Sequence, residues 1–202
     1  MIKKTLYTKT KRFGNTDNYV LTEKMDGSNL SFYKKDESLY IAQRNNIYQL
    51  SSIDENKDKM YKGLYGWLKE YGNDLEERLN SNSCVAGEWL GMGSIKYGDF
   101  TYERFLMFAK ANVNVKHEMY GVYYDFELFN YPFKQQMFPE YIGTVPLVET
   151  LSIRPTVEYL DARYEQYSAE QNRKVEGFIV TDGYSAEKYV RFKSGKLEDH
   201  RI

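Results

Sequence analysis

Apolar and polar residues alternate over short runs through most of the chain, and one long stretch shows helical spacing instead. "YVLTEK" at Tyr19–Lys24 has strand composition, and "LSFYKKDESLYIAQR" reads as two strands around the polar turn "KKDE". Between Asn56 and Asn80, Met60, Leu64, Leu68, Tyr71, Leu75 and Leu79 recur at three- and four-residue steps with Lys, Glu and Asp on the remaining face, which predicts a long helix. "SCVAGEWL" predicts a strand running into the glycine-rich loop "GMGSIKYG", and "RFLMFA" and "YGVYYDFELF" predict further buried strands. "TVEYLDARYEQYSAEQ" predicts a shorter helix, and "KVEGFIVTDG" and "KYVRFK" a closing strand pair around "GYSAE". Strands and helices mix without a regular βαβ rhythm, so the expected class is α+β with mainly antiparallel sheets and flanking helices.

Composition narrows the picture. A chain of 202 residues that is 42% apolar and 16% aromatic carries ample material for one packed core, which excludes a disordered or coiled-coil protein and favours a single domain over 1–202. The formal net charge of −1 removes a globally basic surface, so any polyanion site is local. Lys3, Lys4, Lys9, Lys11 and Arg12 form the one basic run, either a solvated end or a phosphate-contacting arm. Cys84 is alone and makes no internal disulfide or zinc cluster, and His117 and His200 lack metal-ligand spacing and read as surface residues. The first residues show no signal-peptide run, and no stretch approaches the ~18 apolar residues of a membrane span, so a cytoplasmic setting is expected.

The candidate chemistry centres on Lys24, at the end of an apolar strand and followed by Gly27 in "EKMDGSN". A lysine is a nucleophile only after losing its proton, and an ordinary lysine with pKa about 10.4 keeps it at neutral pH. Burial and neighbouring cations both disfavour the charge. Arg191 and Lys193 in "YVRFKSGK" alternate and would share one strand face; if that face meets Lys24, the same cations can hold a phosphate. Gly27 lets backbone or ligand approach closely behind the lysine. Taken singly, each feature has a plain structural alternative: Glu88 and Glu176 on solvent-facing strand positions, Phe108 in the core, Arg44 on the surface after a hairpin.

Their order along the chain carries more. "EKMDGSN" is followed by Arg44 in "AQRNN", Glu88 in "AGEWLG", Phe108 in "RFLMFA", Glu176 in "VEGFIV" and Lys193 closing "VRFK". That ordered set resembles the covalent nucleotidyltransferase superfamily of ATP-dependent RNA and DNA ligases and mRNA capping enzymes. The glutamate directly before the lysine, Asn29 five residues after it, Arg44 twenty after it and the "GE" strand sixty-four after it are similar to RNA ligases of the phage T4 RNA ligase 2 type.

The resemblance implies that Lys24 attacks the α-phosphate of ATP, expels pyrophosphate and forms a lysyl-AMP. The AMP then passes to an RNA 5′-phosphate, and a 3′-hydroxyl displaces it. By the same resemblance Lys193 and Arg191 would hold the α-phosphate, Glu88 the ribose hydroxyls, and Phe108 the adenine face. Arg44 would contact the nucleotide or the polynucleotide 5′-phosphate, Asn29 would line the phosphate channel, and Glu23 would sit beside the base. Glu176 would lie near a catalytic Mg²⁺ or Mn²⁺ and help leave Lys24 unprotonated.

Three departures bear on these roles. Ala109 stands after Phe108 where the family usually has an acidic residue, which makes Tyr124 in "YYDFEL" an alternative stacking partner. Arg191 replaces a common lysine. Nine residues follow Lys193, room for neither the oligonucleotide-binding barrel nor the helical domain that such enzymes append. The expected protein is an RNA ligase acting on RNA ends as a nucleotidyltransferase domain alone, with sealing that is slow, salt-sensitive or dependent on a partner protein. The competing readings are a minimal DNA ligase, a GTP-dependent capping-type guanylyltransferase, and a nucleotide- or RNA-binding module without full catalysis.

Overall fold

The computed structural model describes residues 19–43, 46–53, 61–91, 93–98, 104–123, 140–183, 185–193 and 196–197. Two sheets face each other, and each carries a helix on its outer side.

The first sheet has the order β11-β10-β1-β9, antiparallel throughout. It is built from β1 (Tyr19–Lys24), β9 (Leu147–Leu151), β10 (Gly177–Thr181) and β11 (Ala186–Val190). The central strand β1 is buried along nearly its whole length because it has a neighbour on either side and is covered on both faces. Tyr19, Leu21, Phe178, Val180 and Tyr189 project from one face onto Leu160, Tyr164 and Tyr167 of helix α2 (Val157–Gln171). The Thr156 side chain accepts a hydrogen bond from the Tyr159 amide at 3.2 Å and starts that helix, while Asn172, at φ 48°, stops it.

The second sheet runs β4-β3-β2-β5-β6-β7, and β8 (Ile142–Thr144) pairs parallel to β6. Its strands are β2 (Ser28–Lys35), β3 (Ser38–Gln43), β4 (Ile47–Gln49), β5 (Ser83–Trp89), β6 (Phe105–Val113) and β7 (Met119–Tyr123). Asp36 and Glu37, both at positive φ, close β2 on β3 as a two-residue turn. Strand alternation sends Leu30, Phe32, Leu39, Ile41, Val85 and Trp89 outward against Leu64, Trp67, Leu68 and Leu75 of helix α1 (Leu64–Arg78). The opposite face presents Tyr33, Ala42, Cys84, Ala86, Ala109 and Ala111 to Ile179 and Ala186 of the first sheet. The small residues let the two sheets approach. A short ladder, β12 (Phe192–Lys193) with β13 (Lys196–Leu197), completes the described strands.

The expected mixed fold with mainly antiparallel sheets is observed. The long helix expected from Asn56 begins at Leu64, because Gly63 preceding it adopts φ 86°; residues 54–60 lie outside the described set. Strands β4, β8, β9 and β13 had no sequence expectation.

Candidate active site

Strand β1 ends at Lys24, and the turn Met25–Gly27 carries the chain across to β2 in the facing sheet. This crossing sets residues of both sheets beside one amine. Within the first sheet, Lys24 is opposite Gly177, whose preceding residue Glu176 places its Oε1 2.5 Å from the Lys24 Nζ. The side chains are 22% and 9% exposed, so the pair is largely buried and not on the open surface.

The second sheet supplies the other wall. Asn29 on β2 is directly opposite Glu88 on β5, so both share the face turned toward the first sheet. The Glu88 carboxylate accepts a hydrogen bond from the Gly27 amide. Burial pushes the Glu88 carboxyl up to about 8; Lys24 opposes the shift, and Glu176 and Asp26 add to it. Glu176 is likewise raised, first by burial, with Lys24 again opposing. Two carboxyl groups thus converge on Lys24, and burial favours the neutral form of each.

Phe108 reaches this region through a local irregularity. Ala86 is opposite Ala109 while Gly87 is opposite Met107, so Phe108 is the extra residue of a β-bulge on β6. Its ring packs partly buried against the inter-sheet core and against the cluster of Met25, Leu106 and Val145. Gly27 has a specific reason for lacking a side chain: a Cβ there would lie 2.5 Å from the Trp89 carbonyl oxygen and 2.9 Å from Glu88 Cγ. What comes close to Gly27 is the backbone of β5.

The structure therefore brings together Lys24, Glu176, Glu88, Asn29 and Phe108. It sends two other expected residues elsewhere. The Glu23 carboxylate points to the α2 side of β1, where it accepts hydrogen bonds from Arg173 Nη1 at 2.6 Å, Arg173 Nη2 at 2.7 Å and the Tyr167 hydroxyl at 2.9 Å. Strand alternation already holds this signal, since neighbours along a strand face opposite ways. The Arg191 guanidinium also lies against α2, 2.8 Å from Asp161 Oδ1 and over the Tyr164 ring. The expected alternation of Arg191 with Lys193 is interrupted because β11 ends at Val190 and β12 starts at Phe192. Only the Arg191 amide approaches the site, donating to the Glu176 carbonyl at 2.9 Å. Lys193 lies on β12, with its side chain outside the described set, as are Arg44 and Tyr124 altogether.

Three further residues belong to the site's surroundings and had no sequence expectation. Lys188 is exposed on β11, on the face shared with Lys24, and its charge acts on Glu176. Asp26 holds the loop after β5: its Oδ2 accepts from the Ser94 amide at 2.6 Å, the Ser94 hydroxyl at 2.7 Å and the Ile95 amide at 3.0 Å. Arg173 secures Glu23. Cys84 is no competing nucleophile, because burial pushes its thiol up to about 12. Among the described residues no three of His, Cys, Asp and Glu converge as a metal site, and no helix is long and apolar enough to cross a membrane.

A buried-end lysine touching a carboxylate, with an aromatic ring and a second carboxylate nearby, suits nucleophilic attack on a bound electrophile. The RNA ligase family model matches residues 17–194. Among solved structures, an apo mutant of a Naegleria gruberi RNA ligase is 19% identical with a TM-score of 0.55, over 86% of this chain and 49% of that chain. A mutant of a Naegleria gruberi RNA ligase with ATP and Mn is 18% identical with a TM-score of 0.55, over 86% and 50% of the respective chains. A further mutant with AMP and Mn is 18% identical with a TM-score of 0.54, over 86% and 49%. The chain thus spans about half the length of those solved ligases. No curated protein sequence matches it significantly.

Proposed function

The chain belongs to the RNA ligase family, and from that premise we propose that residues 1–202 form an adenylation domain of the nucleotidyltransferase type and act as an ATP-dependent RNA ligase with Lys24 as nucleophile. The observation that carries the reading is the 2.5 Å contact of Lys24 Nζ with Glu176, at the point where Glu88 and Phe108 of the facing sheet approach.

The first step needs a neutral amine. Glu176, in contact and with its affinity for protons raised by burial, is placed to take the Lys24 proton. The Lys24 nitrogen then bonds to the α-phosphorus of ATP, the bond from that phosphorus to pyrophosphate breaks, and pyrophosphate leaves with the electron pair. Next, an oxygen of the RNA 5′-phosphate attacks the AMP phosphorus, and the Lys24 nitrogen departs and regains a proton. Finally the RNA 3′-hydroxyl oxygen attacks the activated 5′-phosphorus, loses its proton, and AMP leaves. Each displacement depends mainly on alignment and charge neutralisation.

In this reading Glu88 accepts from ribose hydroxyls, Asn29 lines the phosphate path, and Phe108 lies against the base. Lys193 and Arg44 are assigned to phosphate groups, and Arg191 joins them by exchanging Asp161 for a phosphate. Glu23 supports the base site from behind. The fit to a divalent cation rests on Glu176 with Glu88 near it, two carboxyl groups that burial makes costly to ionise without a nearby cation. Glu176, with Glu88 beside it, would hold Mg²⁺ or Mn²⁺ together with substrate phosphates, in keeping with the few carboxylates such ions require. When bound, the ion supplies charge neutralisation on the phosphates. The partners in this reading are RNA 5′-phosphate and 3′-hydroxyl ends, with a partner protein assisting end binding.

Incubation with α-labelled ATP or GTP and Mg²⁺ or Mn²⁺, followed by denaturing electrophoresis, tests the proposal. Label from ATP that survives denaturation, is lost in Lys24→Ala and is released on adding 5′-phosphorylated RNA is the expected result. Label from GTP alone would replace ATP ligation by a guanylyltransferase, and no label from either nucleotide would remove the enzymatic reading.

A further inference from the structure

The segment that carries Lys24 is anchored on both sides by groups far away in sequence. On its N-terminal side the Glu23 side chain is fully buried, and Arg173 grips its carboxylate with both guanidinium nitrogens, at 2.6 and 2.7 Å. The Glu23 amide also donates to the Pro146 carbonyl at 2.9 Å. On the C-terminal side the Asp26 amide donates to the Tyr97 hydroxyl at 2.8 Å. The two anchors meet, since the Arg173 guanidinium lies over the Tyr97 ring at 4.9 Å from its centroid. Asp26 closes the circuit through Ser94 and Ile95, which belong to the same loop as Tyr97. Between the anchors, Met25 is 3% exposed and packed with Leu106 and Val145.

We propose that Arg173 and Tyr97 are positioning residues, a clamp that fixes the backbone on both sides of Lys24 so that only the lysine side chain moves during attack. The proposal rests on Lys24 being the nucleophile. A bidentate guanidinium–carboxylate pair sets orientation as well as distance, which a lysine cannot reproduce. The Tyr97 hydroxyl then carries this constraint past the turn to Asp26. Both residues hold the backbone that flanks Lys24, so their contribution is to where the amine points. An in-line displacement is sensitive to this, because a misplacement of about 1 Å costs on the order of 10²-fold in rate.

The test uses the full chain with Arg173→Lys and Tyr97→Phe, measuring lysyl-AMP formation at saturating α-labelled ATP, the ATP dissociation constant and the melting temperature. Both variants are expected to lose about 10- to 100-fold in maximal rate, with unchanged ATP affinity. Tyr97→Phe, which removes one oxygen and keeps the ring under Arg173, is expected to stay folded with a small fall in melting temperature from the lost Asp26 hydrogen bond, and decides the matter if Arg173→Lys fails to fold. Unchanged rates, or lost ATP affinity at an unchanged maximal rate, overturn the clamp while leaving Lys24 as nucleophile. An unsubstituted chain that takes no label overturns the nucleophile and the clamp with it.

Discussion

Gly27→Ala separates two uses of a missing side chain, room for a ligand and room for the protein itself. A Cβ at this position would sit 2.5 Å from the Trp89 carbonyl oxygen, 2.9 Å from Glu88 Cγ and 3.1 Å from the Trp89 carbonyl carbon. The Trp89 carbonyl is part of β5 and Trp89 is fully buried, so the backbone has little freedom to yield. Overpacking of this kind costs about 1–3 kcal/mol. For a chain of this size that corresponds to a fall of about 2–12 °C in melting temperature, at about 2–4 °C per kcal/mol. Glu88 is the softer neighbour, and pushing it away also weakens the hydrogen bond it accepts from Gly27. Lysyl-AMP formation is therefore expected to fall by about 10-fold or more, because the displaced group is the one proposed to hold the ribose. Gly66→Ala is the matched control: nothing lies within 4 Å of its Cβ, and in the first turn of α1 alanine is favoured over glycine by up to about 1 kcal/mol. Thermal denaturation and the labelling assay on both variants provide the reading. A Gly27→Ala protein that melts and labels as the unsubstituted chain does would refute the close approach of β5 to the turn.

Glu88 makes the fold pH-dependent in a stated direction. Its folded pKa, about 8, is above an ordinary unfolded value of about 4.3, so its contribution to stability is complete below about pH 4 and is lost as pH rises through about 8. Urea midpoints should fall across that window, Glu176 adding in the same sense, and Glu88→Gln should flatten the fall; equal slopes with and without the substitution would contradict the burial argument. Phe108→Ala should weaken ATP binding by about 1–3 kcal/mol if its ring supports the base, while labelling at saturating ATP persists. Unchanged affinity by calorimetry would return Phe108 to a packing role.

The elements easiest to read from sequence were those with their own punctuation. The pair Asp36–Glu37 marks the hairpin of β2 and β3, and Thr156 marks the start of α2. Strand β9 was hidden because its edge position leaves Leu147 exposed and breaks the alternation. Strand β8 has only three residues, too few for a period. At the site, Lys24, Glu88 and Glu176 were legible as an ordered set of charged residues beside apolar strands. The placement of Arg191 was not, because one residue of bend between β11 and β12 decides which way a side chain turns. Arg173 and Glu23 are 150 positions apart, and no local spacing relates them. Such pairs arise only when β10 and α2 close on β1.

The turn Met25–Gly27 links two sheets, and this makes the separation between the sheets a variable of the chemistry. Lys24 and Glu176 travel with one sheet, whereas Glu88, Asn29 and Phe108 travel with the other. A molecule that touches both groups is a crossbrace. Its binding adds to the cohesion of the whole chain, about 2.7 kcal/mol when present at a hundred times its dissociation constant. Nucleotide occupancy and mechanical integrity would then be two readings of one quantity, the width of the gap.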